Sequence, residues 1–313
     1  MKKFLCFLAA LMLLSMSALA QENAFVSGSQ SAALGGDMFF VVREAEGDAL
    51  VRFAGGQTAF LSERAEAVTS LVEFENALYY LRRLGSGWEL VSRDAALNVR
   101  TAYAFEAGSD VRRLSVYGEN LMVLIDGNLH MVYPGKGLCI KLAGAAMSEY
   151  VIADDYAYFV SQTDVIDYRL YHPDGSATKS AGCLYRLNLS TGNTSLVLKS
   201  GVEDLSISGS KLYFHNLADG YVSLAGDSAE VRGKLYSFDI ASDVLTREWD
   251  GYDWGYVAAD GGPVLRDQEG LKRTDGSVLQ ALPESCEMAA MGSGAALLDP
   301  ANLTISFIDL TAE

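Results

Sequence analysis

The chain has 313 residues, with 40 acidic and 24 basic side chains and a formal charge of −16. Such an excess of acid repels polyphosphate and anionic membrane surfaces, which argues against nucleic acid as a partner. Half of the residues are apolar and only five are proline, so a chain of this length can build a packed, strand-rich core.

The first 20 residues, "MKKFLCFLAALMLLSMSALA", carry Lys2 and Lys3, an apolar stretch from Phe4 to Leu14, and the small-residue site Ala18-Leu19-Ala20. This is the pattern of a bacterial-type signal peptide cleaved before Gln21, and the apolar stretch is short for a bilayer crossing. Removing it deletes two lysines and takes the charge from −16 to −18 over 293 remaining residues. An exported location is expected, periplasmic, surface or extracellular, with no membrane insertion after cleavage. Cys139, Cys183 and Cys286 then remain, too few for a disulfide framework. Burial as small hydrophobes is the simpler reading, while a Cys139–Cys183 bridge is compatible with an oxidising compartment.

From Gln21 onward the chain reads as strand after strand. Alternating or aromatic-rich runs such as "DMFFVV", "ALYYL", "NLHMVY", "DYAYFV", "KLYFHN" and "TISFIDL" are separated by Gly, Asp, Asn and Ser. One junction recurs: a small-residue strand, a tight turn, then a bulky strand. Its copies are "SAALGGDMFF", "TSLVEFENALYY", "RLSVYGENLMVL", "EYVIADDYAYF", "DLSISGSKLYF", "YVAADGGPVL" and "EMAAMGSGAALL". An apolar residue just after each turn falls at Met38, Leu78, Leu121, Ala157, Leu212, Pro263 and Ala295, with gaps of 40, 43, 36, 55, 51 and 32 residues. A mean near 43 is the spacing of four-stranded propeller blades.

The second half of each unit is a hairpin, clearest in "CLYRLNLSTGNTSLVL" and "KLYSFDIASDVLTREWD". A four-stranded sheet has two apolar faces and shelters neither alone; stacking sheets radially buries both. The expectation is a single all-β domain over residues 21–313, a seven-bladed β-propeller with four antiparallel strands per blade. Six or eight blades are also compatible, because the short units are degenerate. The last unit supplies three strands, so "NAFVSG" (Asn23–Gly28) is expected to add the outermost strand of the C-terminal blade and close the ring.

"GKLYSFDIASDVLTREW" and "GCLYRLNLSTGNTSLVL" resemble the repeats of quinoprotein-like propellers, and "LYRLNLSTG" followed by "VEDLSISGSKLYF" resembles secreted bacterial propellers related to the YWTD type. The likeness covers Ser180–Trp254, about a quarter of the chain. It implies a fold and not a substrate. Quinone-cofactor dehydrogenases of that fold use a vicinal cysteine pair, which this chain lacks, so no cofactor is expected.

Two connections between second and third strands are long: Gln162–Gly182 in the fourth unit and Asn216–Gly233 in the fifth. Long loops on a tight scaffold are candidate binding elements. The link from the fifth to the sixth unit, "WDGYDWGY", lies on the same face and alternates rings with carboxylates, which suits a sugar, a peptide or a cationic group. The candidate ligand-binding residues are therefore Tyr168, Tyr171, His172, Tyr221, Asp250, Tyr252, Asp253 and Trp254. Trp249 and Trp254 also fit simple packing between blades. The histidines, His130, His172 and His215, have no metal-ligand spacing, and no metal or catalytic group is assigned. The reading is an exported, non-enzymatic propeller that recognises a peptide, protein or glycan on the face of blades four to six. The alternatives are a carbohydrate-active enzyme using carboxylates on that face and a scaffold of an envelope complex.

Overall fold

The computed structural model describes residues 31–44, 47–65, 67–172, 175–225, 228–253, 255–259, 262–267, 269–281, 287–291, 294–299 and 304–309. Nearly all of these lie in strands. The first sheet runs β1 (Ser31–Leu34), β2 (Asp37–Glu44), β3 (Gly47–Ala54), β4 (Gln57–Ala65). The second runs β5 (Ala67–Phe74), β6 (Ala77–Leu84), β7 (Gly87–Asp94), β8 (Val99–Ala104), and the third β9 (Val111–Tyr117), β10 (Asn120–Ile125), β11 (Asn128–Tyr133), β12 (Leu138–Ala143). The fourth holds β13 (Met147–Ala153), β14 (Tyr156–His172), β15 (Gly175–Asn188) and β16 (Thr194–Leu198). The fifth holds β17 (Val202–Ser208), β18 (Lys211–Ala225), β19 (Ser228–Asp239) and β20 (Val244–Arg247). The sixth holds β21 (Gly255–Ala259), β22 (Gly262–Asp267), β23 (Gly270–Arg273) and β24 (Val278–Gln280). A three-stranded sheet follows, β25 (Glu287–Met291), β26 (Gly294–Asp299) and β27 (Thr304–Asp309).

Every sheet is an antiparallel meander in chain order, and the first strands of consecutive sheets lie against one another. That is a β-propeller. Among the described residues six blades have four strands, where the repeat spacing predicts seven; the last unit contributes a sheet of three. The segment expected to complete it, Asn23–Gly28, lies outside the described residues, as do the signal segment, Trp254 and Cys286.

The repeat phase is reproduced residue by residue. Met38, Leu78, Leu121, Ala157, Leu212, Pro263 and Ala295 are each the second residue of their sheet's second strand. The two-residue turns before them use left-handed backbone, for example at Gly35 and Gly36 (φ 61° and 88°) and at Glu75 and Asn76 (φ 50° and 57°). Such turns match the right-handed twist of the strands they join. Second strands are the core: Leu78, Leu81, Leu121, Val123 and Leu212 have no exposed surface. The blades bury these faces against one another, as in the cluster of Val151, Tyr158 and Val160 of the fourth blade with Leu205, Leu212 and Phe214 of the fifth. Fourth strands face outward; β20 is exposed throughout. Cys183 is buried and Cys139 half-buried, and the two are not bridged.

The two long connections are not loops. They are continuations of the second and third strands, paired from Val165↔Gly182 out to His172↔Gly175 in the fourth blade and from Gly220↔Gly233 to Ala225↔Ser228 in the fifth. Each continuation begins after a break in register. The two hairpin arms stack through a small apolar core of Ala177, Ala181, Leu217 and Val231, flanked by Tyr168, Leu170, Val222 and Ala229.

Candidate functional site

The arms stand over the start of the first strands of blades three to five. Those strands share a device. In β5–β6, β9–β10, β13–β14 and β17–β18 the pairing slips near the beginning of the first strand. The residue five places before the turn sits in this break at Ser70, Arg113 and Asp204, and directly after it at Glu149. Ser70, Arg113 and Asp204 have φ of 60°, 62° and 56°. Non-glycine residues rarely occupy that region, and bulges re-aim side chains beside functional sites. Arg113, Glu149 and Asp204 accordingly line a cleft of about 540 Å³, together with Gln162 and with Lys179 and Ser180 of the first arm.

The charges form a chain. Arg113 Nη2 donates to Glu149 Oε2 at 3.0 Å, and the Leu205 amide donates to the same oxygen at 3.1 Å. Burial pushes the Glu149 carboxyl up to about 7, against the pull of Arg113. Next in line, His215 Nδ1 lies 2.8 Å from Asp204 Oδ2 and Nε2 lies 3.0 Å from Asp253 Oδ1. With both ring nitrogens against carboxylates, each carries a proton. Burial alone would lower the His215 pKa, but the two carboxylates outweigh it and raise it to about 9. The same bond from His215 lowers the Asp204 pKa. Tyr256 stacks edge-on against the imidazole, with ring centroids 5.2 Å apart, and donates to the Asp204 carbonyl. A histidine held in this way is a fixed cation with no lone pair left for proton abstraction. Among the described residues no group of three or more His, Cys, Asp or Glu is arranged to hold a metal ion.

The sequence candidates divide into three groups. Tyr221 and Tyr252 come together, with centroids 4.6 Å apart. Their partner is the chain's own Lys234, whose ammonium lies 4.9 Å and 5.2 Å from the two ring centres and donates to the Asp250 and Gly251 carbonyls. The aromatic-and-acid cluster expected to take a cationic group thus already holds one. Asp250 is exposed and pairs with Arg247 at 2.8 Å. Asp253 is buried and belongs to the His215 network.

Tyr168 packs the base of the first arm onto the fifth blade: its hydroxyl accepts the Gly201 amide at 2.7 Å, and a side chain at Gly201 would meet its ring at 2.5 Å. Tyr171 and His172 lie at the exposed end of that arm, where Tyr171 is 72% exposed and stacks with Arg169. Arg113, Glu149, Asp204 and His215 escaped the sequence reading. The signal that could have found three of them is the shared position five residues before the turn. His215 is a strand residue, as its sequence context indicates, and acquires its role through partners 11 and 38 positions away.

No family model matches the chain, and no curated protein matches it either. Solved structures do resemble it. One is the extracellular domain of a protein described as a putative one-component system, BT4673, from B. thetaiotaomicron, with a TM-score of 0.55 and 11% identity over 90% of this chain. Another is a catalytically inactive variant of virginiamycin B lyase from Staphylococcus aureus with quinupristin, with a TM-score of 0.56 and 10% identity over 91% of this chain. The match spans 38% of the first of those chains and 95% of the second. At these identities the likeness concerns fold alone. Among the described residues no helix is long and apolar enough to cross a membrane.

Proposed function

We propose that this chain is an exported binding propeller that holds a peptide segment in the cleft beside the hairpin arm of the fourth blade. The observation that carries this reading is the row of Arg113, Glu149 and Asp204 at the register breaks, which lines the cleft with charge of both signs. Strain and buried charge at one end of a scaffold are costs that packing alone does not require. Among the residues lining the cleft none is aromatic, so a sugar ring has no flat partner there. Ser148, Ser180, Gln162 and the flanking charges offer instead the donors and acceptors that suit a polypeptide backbone with polar side chains. The arms add Lys179, which bridges the first arm to Glu203 at 2.7 Å.

The test is a screen of the mature chain against a peptide library and a glycan array, followed by titration calorimetry of the best ligands. Peptides are expected to bind, and Lys179→Glu, a partly exposed substitution, is expected to weaken them at least tenfold with the fold intact. Glycan binding without peptide binding, or indifference to Lys179→Glu, overturns the reading. One observation favours a catalytic alternative: the Glu149 carboxyl, with a pKa near 7 in an open cleft, suits acid–base chemistry. Turnover on a glycan panel that disappears in Glu149→Gln would decide for it.

A further inference from the structure

Beside the cleft, and sharing Lys179, Glu203 and Asp204 with it, lies a smaller pocket of about 220 Å³. Its ionisable groups are arranged in pairs. Lys179 meets Glu203 at 2.7 Å, Arg232 Nη2 meets Glu230 at 3.3 Å, and His215 sits between Asp204 and Asp253. With His215 charged, three cations therefore face four carboxylates, and one negative charge is left over.

One acceptor among these groups is unpartnered. Asp253 has a side chain only 2% exposed, and its Oδ1 takes the His215 bond. Its Oδ2 is buried and has no hydrogen-bond partner among the described residues. Arg232, the nearest guanidinium in the pocket, gives its Nη1 to the Asp253 main-chain oxygen at 3.2 Å instead. A buried carboxylate oxygen without a donor forfeits its hydration and gains nothing in exchange. The deficit is of a donor, and of a donor that brings positive charge.

We infer that this pocket receives the primary ammonium group of a peptide ligand, an amino terminus or a lysine tip, with Asp253 as its principal acceptor. The inference rests on the reading of the adjoining cleft as a peptide site and names the end group that anchors the peptide. The pocket is below the size of sites that enclose whole small molecules, and it suits an end group continuous with a chain lying in the larger cleft. An ammonium carries three donors and no acceptor, which fits a pocket to whose lining Asp253, Glu230 and Tyr221 contribute.

The experiment uses the mature chain and three probes: triglycine amide, acetyl-triglycine amide and acetyl-Gly-Lys-Gly amide. Calorimetry measures affinity, and the imidazole nitrogen resonances of His215 report events at Asp253. Triglycine amide is expected to bind at least tenfold more tightly than its acetylated form and to shift the Nε2 resonance. The lysine probe separates an amino terminus from a side-chain amine as the source. Asp253→Asn is expected to abolish the preference. Should that variant fail to fold, the comparison of free and acetylated probes on the unaltered chain still decides, and Glu230→Gln supplies a milder reduction. Equal affinity for all three probes, or binding that leaves the His215 resonances unmoved, overturns the ammonium pocket while the cleft keeps its peptide. Binding of glycans with no response to any peptide probe overturns both.

Discussion

Replacing His215 by Gln removes the cation held between Asp204 and Asp253. The two carboxylates lift the His215 pKa from 6.5 to about 9 in the folded chain. At about 1.4 kcal/mol per unit, the charged imidazole contributes about 3 kcal/mol to stability. Because the folded value is the higher one, this contribution is complete below pH 6.5 and disappears as the pH rises through 9. Glu149 acts in the same sense over a lower window. Its folded pKa near 7 exceeds 4.5, so its proton is held more tightly in the folded state and that contribution is lost between pH 4.5 and 7. The unaltered chain should therefore lose stability in two steps between pH 4.5 and 9. His215→Gln should abolish the upper step and cost about 3 kcal/mol at pH 6, roughly 5–10 °C in Tm. Most of this loss belongs to Asp253, since Asp204 is 69% exposed and recovers water when its partner is gone. The double change His215→Gln, Asp253→Asn should then be more stable than the single one. Urea unfolding at pH 6 and pH 9.5 measures the steps, and a histidine NMR titration locates the pKa. A flat stability profile for the unaltered chain across pH 6.5–9, or a His215→Gln variant that follows the same slope, refutes the argument.

Leu217 has no exposed surface and joins the two arms, so Leu217→Ala should cost about 2–5 kcal/mol. Hydrogen exchange should accelerate first in residues 165–182 and 220–233; equal acceleration throughout β9 to β12 would show that the arms are not a separate packing unit. Lys234→Gln withdraws the ammonium from Tyr221 and Tyr252 and should cost about 1 kcal/mol. The ring resonances of both tyrosines should shift on this change, and unmoved resonances would mean that the cation is not held there.

The sequence made the blade legible because the blade is a local object. Each junction around Met38, Leu78 or Leu212 is settled by neighbours within about ten residues, through small residues on one strand, a left-handed turn and bulk on the next. The arms were misread for the opposite reason. "SATKSAG" offers no bulky alternation, and its apolar contacts are the small side chains Ala177 and Ala181 against Leu217 and Val231 of the following blade. Gly182 and Gly233, which look like loop ends, are places where another chain segment comes too close for a Cβ: one at Gly182 would lie 1.8 Å from the Ser161 carbonyl oxygen, and one at Gly233 would lie 2.7 Å from the Asn216 nitrogen. The aromatic cluster of Tyr221 and Tyr252 holds a cation that belongs to the chain itself. That the cation is Lys234 follows from a bend of the backbone that composition does not reveal.

The bulges connect the repeat to the site. A strand alternates its side chains between two faces, and in a blade both faces pack against neighbouring blades, so a break in register is a means of turning one residue out of that packing. In blades two, three and five the break takes in a polar residue and the apolar one after it, Ser70 and Leu71, Arg113 and Leu114, Asp204 and Leu205, while in blade four it comes just before Glu149, which pairs in register with Tyr150 following it. The second member of each pair is buried. The first lines the cleft in blades three, four and five, while in blade two it is Ser70, uncharged and buried. The scaffold therefore provides the same geometric step in blades two, three and five and a related one in blade four, and charge stands there in blades three to five. Left-handed backbone at Arg113 and Asp204, at a cost of about 1 kcal/mol or more each, is what keeps Leu114 and Leu205 in the core while a charge stands one residue away at the mouth.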